Sequence, residues 1–437
     1  MTEKLPLKPL SAPAVMPIMA GRFLWGPRYM ERHFARHGAI VPDWLPGVRA
    51  VWLRDPRLIE QVLRSSGVEH HTTGRLLGRV MGSTAMLNQL SGAQHHAVSR
   101  LMIPTLRGDA LSGNRAAIAV AAQRMANACP VGTPFRLLPL LDTAVAEANV
   151  RACLSVDDPR LLHTWVKAIA RLRQSTVRPA VMAYAVGVLP WWPTGHRAWN
   201  ACLHLVREEV ARRRRTGTIH NDVLGILLAS DSEELSDEVL CDQIVFYLLA
   251  AQAPALAAAW VIERATRTPH VWQRLVDEAS GQDDSAPYTD AVIREALRLR
   301  PPVTAIPWLL REPCDIGGYH VPAGTFAVAS LWDLHRNPDL YPEPEEFRPE
   351  RFLGNRPPRG AWLPFGSGPH ACIGGQLAFI QVTVLVHTLI RRGQLLPVTR
   401  QDEGIGHRAS TEPYPAQGCR VTLHPVRRRH PQGTARR

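Results

Sequence analysis

A ten-residue stretch, Phe365-Gly366-Ser367-Gly368-Pro369-His370-Ala371-Cys372-Ile373-Gly374, holds the residues best suited to chemistry in this 437-residue chain. Three glycines and a proline around one cysteine describe a tight loop. Its backbone N–H groups can point at a sulfur, and its small residues let a flat cofactor approach. The apolar, periodic run Gly375 to Arg391 predicts a helix directly after it, so Cys372 would lie just before a helix N-terminus, where a thiolate is favoured. That is an environment for a cysteine ligand. A bare glycine turn around an incidental buried cysteine would not need a match at all ten positions. Glu295 and Arg298, three apart on a predicted helix, share a face, and Arg351 can complete a charge-assisted network anchoring the segment before the cysteine. Taken alone, Glu295 and Arg298 would read as a solvated helix pair.

The elements that must position these residues are mainly helical. Helical periodicity dominates from about Gln94 to Leu297, after an earlier helix (Arg28 to His37), two β-type runs (Ala39 to Val41 and Ala50 to Leu53) and a helix opened by Asp55-Pro56. Strand-like pieces return at Val303 to Leu310, Gly317 to Val321, Phe326 to Leu331 and Gln417 to His424, suited to small sheets at the edge of a helical body. Pro190 to Pro193, with Trp191 and Trp192, reads as a loop with an apolar tip. The expectation is a mainly α fold with small β-sheets in a single domain over 20–425, an N-terminal arm over 1–19 and a basic, disordered tail over 426–437.

Composition narrows the classes. With 46% hydrophobic residues the chain can bury a large core. The net charge of +13 invites a nucleic-acid reading. Much of it lies in Arg212 to Arg215 and in Arg427, Arg428, Arg429, Arg436 and Arg437, so no nucleic-acid partner is expected. Seven cysteines without a Cys-x-x-Cys pair argue against a disulfide framework and a zinc ribbon, and fit a reducing cytoplasm. Met1 to Leu24 has no unbroken apolar stretch long enough for a secretory signal. Ile244 to Ile262 carries no charge over nineteen residues, near bilayer length, but contains Gln252 and Pro254 and much alanine. Ser236, followed by Asp237 and Glu238, supplies a helix start, so a buried central helix is expected there and no membrane span.

The ten-residue loop resembles the haem-ligand loop of the cytochrome P-450 superfamily, in the form with a histidine two residues before the cysteine. Glu295-Ala296-Leu297-Arg298 resembles that family's Glu-x-x-Arg, and Pro349-Glu350-Arg351-Phe352 its Pro-Glu-Arg-Phe segment. Gly317 to Thr325 and Leu334-His335-Arg336-Asn337-Pro338 match a strand and a helix turn of its bacterial members. The resemblance runs from about Gly38 to His424. It implies haem b bound through Cys372, with Phe365, Gly366 and His370 around it. A thiolate ligand pushes electron density that favours O–O cleavage.

The sequence departs from the family's pattern on the central helix. Members carry an acid and an alcohol there for proton delivery, whereas this chain reads Ala250-Ala251-Gln252-Ala253-Pro254, with Ala253 and Pro254 at the two positions. Pro254 has no N–H, so a kink is expected where the carbonyl of Ala250 loses its donor. Proline inside a helix costs about 3 kcal/mol, which argues for a purpose. Gln252 could hold a water there. For the haem propionates two registers are open: His95, which places Ser99 where an arginine is usual, or His96 with Arg100. Trp308 stands at another arginine position, with Arg311 three residues on, and His370 remains a propionate contact. Met81, Met86, Leu87, Leu90 and Ile306 are expected to line a substrate pocket.

The resemblance therefore implies a soluble, cytoplasmic haem-thiolate oxidoreductase. It would oxidise an apolar small organic metabolite in bacterial specialised biosynthesis, with electrons from a separate ferredoxin or flavodoxin that its basic surface would attract. The missing acid and alcohol leave open a peroxide-dependent enzyme, a haem rearrangement that activates no oxygen, or a non-catalytic helper or ligand-binding protein.

Overall fold

The computed structural model describes residues 5–6, 29–45, 48–70, 78–83, 85–176, 193–218, 220–230, 235–281, 286–407 and 412–425. The Trp191-Trp192 tip, the basic tail and most of the N-terminal arm lie outside them.

The chain begins with strand β1 (Leu5–Pro6), helix α1 (Tyr29–His37), β2 (Ile40–Leu45) and β3 (Val48–Leu53). Helix α2 (Pro56–Arg64) starts as its sequence requires: the Asp55 side chain accepts the Arg57 N–H at 2.7 Å, and proline takes the first helical position. Then come β4 (Val68–Glu69), α3 (Gly92–Met102), α4 (Gly108–Ala128), β5 (Pro134–Arg136), α5 (Leu138–Leu154), α6 (Pro159–Thr176), α7 (Pro193–Thr216) and α8 (Val223–Leu228). The central helix is two helices, α9 (Asp237–Ala250) and α10 (Ala253–Ala265). Helices α11 (Pro269–Ser280) and α12 (Pro287–Leu299) follow, then β6 (Ala305–Leu310), β7 (Cys314–Ile316), β8 (Tyr319–Val321), β9 (Thr325–Ser330) and the short α13 (Leu331–Leu334). The chain ends with α14 (Gly375–Arg392), β10 (Gln394–Pro397), β11 (Ile405–His407), β12 (Pro413–Pro415) and β13 (Arg420–His424).

The main sheet has the order β2-β3-β9-β6-β4, with β3 and β9 parallel and the other pairs antiparallel. Smaller sheets are β1-β8-β7, β10-β13-β5 and β11-β12. The fold is the expected mainly α body with small sheets at its edge.

Two apolar cores meet at the central helix. α10 packs with α4, α5, α11, α12 and α14. α9 packs with α6, α7 and the Val80–Leu106 region. This burial accounts for the uncharged stretch: Ile244, Val245, Ala258, Ala259, Val261 and Ile262 are fully buried. As expected, Ser236 caps α9 by accepting the Val239 N–H at 3.4 Å. The Arg212–Arg215 run is largely neutralised where it sits, because Arg212 and Arg213 pair with Glu209, Arg213 also with Asp222, and Arg214 with Asp237.

The interruption of the central helix is earlier and deeper than a proline kink. It falls at Ala251-Gln252, and Pro254 occupies the first turn of α10, where a missing N–H costs little. The cost of about 3 kcal/mol for an interior proline therefore does not apply. The Ala251 carbonyl finds a substitute donor in Asn149 Nδ2 at 2.7 Å. Asn149 in turn accepts from Gln381 Nε2 at 2.7 Å, so three helices are tied at the break.

Candidate active site

The cysteine loop is folded by its own backbone. Gly366 and Gly368 have φ of +72° and +77°, a conformation that residues carrying a Cβ rarely adopt. Their turns let Gly366 N donate to Leu363 O at 2.9 Å, Ala371 N to Gly368 O at 3.1 Å and Cys372 N to Phe365 O at 2.8 Å. α14 starts three residues after Cys372.

Behind the loop lies the expected ion network, buried rather than solvated. Glu295 and Arg298 are both fully buried and share two hydrogen bonds, Nε to Oε2 at 2.7 Å and Nη2 to Oε1 at 2.8 Å. Arg298 also donates to the carbonyls of His335, Pro344 and Glu346, and Glu295 accepts the Arg348 N–H at 2.8 Å. Arg351 stands 3.5 Å from Glu295. A link not anticipated from sequence joins this network to the loop: His335 Nε2 accepts the Leu363 N–H at 3.0 Å. Burial, with Arg298 and Arg336 nearby, depresses the His335 imidazole to about 3. It stays neutral and able to accept.

That depression has a pH signature. Below about pH 6.5 the unfolded chain takes up a proton that the folded ring refuses until about pH 3, so this contribution to stability is complete above pH 6.5 and is lost as pH falls. The loss is on the order of 2–3 kcal/mol by pH 4.5. His335→Gln should show a smaller drop in urea midpoint between pH 7 and 4.5 than the parent; an equal drop would refute the assignment.

Cys372 opens into a cavity of about 430 Å³. Its floor is the loop, including Phe365, Gly366 and His370, and its opposite wall is the helix break, with Ala250, Ala251, Ala253 and Pro254. Surrounding protein pushes the Cys372 thiol up, with the Gly374 N–H offsetting part of the rise. Ala253 and Pro254 face the cysteine cavity as the sequence implied. Gln252 does not: it is buried, donates from Nε2 to Leu248 O at 3.3 Å and lines a separate cavity of about 280 Å³ with Asp142 and Arg173. A non-helical turn has rotated it away.

The histidine register is resolved by burial. α3 buries His95, Val98, Ser99 and Met102, leaving His96 and Arg100 on its outer face. Arg100 therefore does not reach the cavity. His95 lines it, with its ring stacked 3.8 Å from that of His370, which in turn stacks 6.0 Å from His70. Trp308 also lines the cavity, while Arg311 pairs with Glu69. Leu87 and Ile306 face it as expected; Met81, Met86 and Leu90 are core residues.

A flat, largely apolar group with acidic side chains suits this place. One soft sulfur donor lies in the floor, small residues (Gly366, Gly374, Ala378) line the cavity with it, and the imidazoles of His70, His95 and His370 on the same lining are of a type that can donate to carboxylates.

The class these features define is a haem-thiolate oxidoreductase, and the chain belongs to the cytochrome P-450 family, whose model matches residues 8–419. Its cofactor is haem b with a cysteine thiolate, and it is a monooxygenase of that family. Cytochrome P-450 137 of Mycobacterium tuberculosis is 31% identical over 423 residues, covering 92% of this chain and 86% of that protein. Cyclooctat-9-en-7-ol 5-monooxygenase of Streptomyces melanosporofaciens is 30% identical over 418 residues, covering 89% and 90%. The fold matches a retinoic-acid-bound cyanobacterial cytochrome P-450, CYP120A1, with TM-score 0.81 and 21% identity, covering 97% of this chain and all of that one.

Proposed function

We propose that this enzyme oxidises an apolar small organic metabolite in bacterial specialised biosynthesis, with the haem iron held by Cys372. One observation carries the proposal: a single thiol opens into a mainly apolar cavity whose opposite wall is the broken central helix. The relative named for a cyclic alkenol supports the substrate class and the biosynthetic setting. Bound there, the haem would supply the redox chemistry that no side chain offers. The protein's part would be to exclude water, orient the substrate and hold the cofactor, with Cys372, His95, His370, Phe365 and Gly366 as the residues that would contact it and Glu295, Arg298 and Arg351 bracing the loop from behind. Electrons come from a separate ferredoxin or flavodoxin in the cytoplasm, a reading supported by the net charge of +13, which suits an acidic partner.

Ala253 and Pro254 offer no proton to a reacting group, which favours proton supply by water or substrate, or turnover with peroxide. Pro254→Thr restores a hydroxyl at this position, in the first turn of α10. It should raise the fraction of reductant converted to product; unchanged coupling would count against the relay argument. A carbon monoxide difference spectrum of the reduced protein tests the main reading. A thiolate-type Soret band is expected, and its absence would overturn the reading.

A further inference from the structure

We infer that Gln243 is a positioning residue for substrate selectivity: its side-chain amide clamps the turn that forms one side of the Cys372 cavity, and so sets how large a guest fits beside the haem. The inference rests on the haem-thiolate reading above and names a determinant of its substrate size. Gln243 is fully buried on α9 and is not among the described residues lining the cavity. It acts through its neighbours. Leu87 and Asn88, in the 3-10 turn Leu87–Gln89, line the cavity. The Gln243 amide holds that turn at both of its polar atoms, since Leu87 N donates to Oε1 at 2.9 Å and Nε2 donates to Ala85 O. The adjacent Asp242 accepts from Ser83 Oγ. Phe246, Tyr247 and Ala250, at helical spacings of three, four and seven from Gln243, belong to the cavity wall, so the clamp and that wall share a face of α9.

The segment held in this way is braced as one body. Met86 N donates to Gln89 Oε1 at 3.0 Å, Gln89 Nε2 donates to Ser83 O at 2.9 Å, and Gln89 N donates to Met86 O at 2.8 Å. Met86, Leu87 and Leu90 pack into the core around α9, but apolar packing is non-directional and does not by itself fix a register. Two hydrogen bonds to one amide fix both place and direction. A guest too bulky for the cavity has to lift the turn, which breaks both bonds and leaves a buried amide facing an apolar core. A compact guest meets the turn where it stands and incurs no such cost. The clamp therefore discriminates by size without touching the guest.

The test reads guest size at the iron, with imidazole as the compact ligand and clotrimazole, an imidazole bearing a chlorinated trityl group, as the bulky one. Each ligates ferric haem through an imidazole nitrogen, so each dissociation constant follows from the Soret shift of the haem-loaded protein. Gln243→Met, close to the parent in length but unable to make either bond, should tighten clotrimazole about tenfold relative to imidazole, the scale of one or two hydrogen bonds lost from the closed turn. Gln243→Leu, of different shape, should do the same. Gln243→Glu, neutral when buried beside Asp242, can make both bonds and should keep the parental ratio. Parental haem content and carbon monoxide band in the variants exclude misfolding. A ratio unchanged in Gln243→Met and Gln243→Leu, whatever happens to their urea midpoints, marks the amide as structural only and overturns the inference while leaving the haem reading intact. A Gln243→Glu protein that behaves like Gln243→Met overturns it equally. Absence of any Soret shift with imidazole in the parent overturns the haem reading, and the clamp with it.

Discussion

Cys372→Ser is expected to abolish the thiolate-type carbon monoxide band and to cut product formation by roughly a thousandfold or more, the scale reached when a group essential to the chemistry is removed. The substitution changes one atom, so its consequences separate cleanly. The loop is held by backbone bonds such as Cys372 N to Phe365 O, which do not involve the sulfur. The side chain faces the cavity rather than the core. Stability should therefore change by no more than about 0.5 kcal/mol, as for a substitution away from packed or bonded groups. A hydroxyl is a hard, weakly acidic donor that does not replace a thiolate on iron. A serine variant with the parent spectrum and turnover would show that the iron is held elsewhere.

Glu295→Ala should cost on the order of 3–5 kcal/mol, because it leaves the Arg298 guanidinium fully buried without its carboxylate. The Arg348 N–H loses its acceptor at the same time. Three further Arg298 contacts go to carbonyls, which orient a cation but do not neutralise it. The defect should spread to the cysteine loop through His335 and Leu363, so haem retention should fall together with the urea midpoint. Glu295→Gln, which keeps the shape and one acceptor, should lose less. Arg298→Lys should also fail, since an ammonium cannot reproduce the forked contacts. A Glu295→Ala protein with parental midpoint and haem content would mean that the pair does not brace the loop.

How much of this was legible in the sequence follows from what sets each feature. The cysteine loop was readable because its geometry is local: glycines at positive φ and a helix start lie within ten residues. The Glu295–Arg298 pair was readable from helical spacing, but its burial was not, since that depends on α12 packing against segments about fifty residues later. The choice between His95 and His96 was not made in advance, because both spacings are helical and only the packed face of α3 selects one. Gln252 was misplaced because periodicity assigns directions only within a continuous helix. β4 and β5 span two and three residues, too short for any alternation to register. His335 stood within a matched segment, yet its role is set by a contact 28 residues away.

The two-residue seam between α9 and α10 also bears on how the two halves of the central helix are joined. Each half of the central helix is buried mainly in a different core, so a displacement in either core reaches the seam from one side only. α9 packs in the core that includes Met86, Leu87 and Leu90, whereas α10 packs in the one that holds most of α14. Asn149, bonded across the seam to Ala251 and Gln381, is the link through which the two sides are mechanically joined.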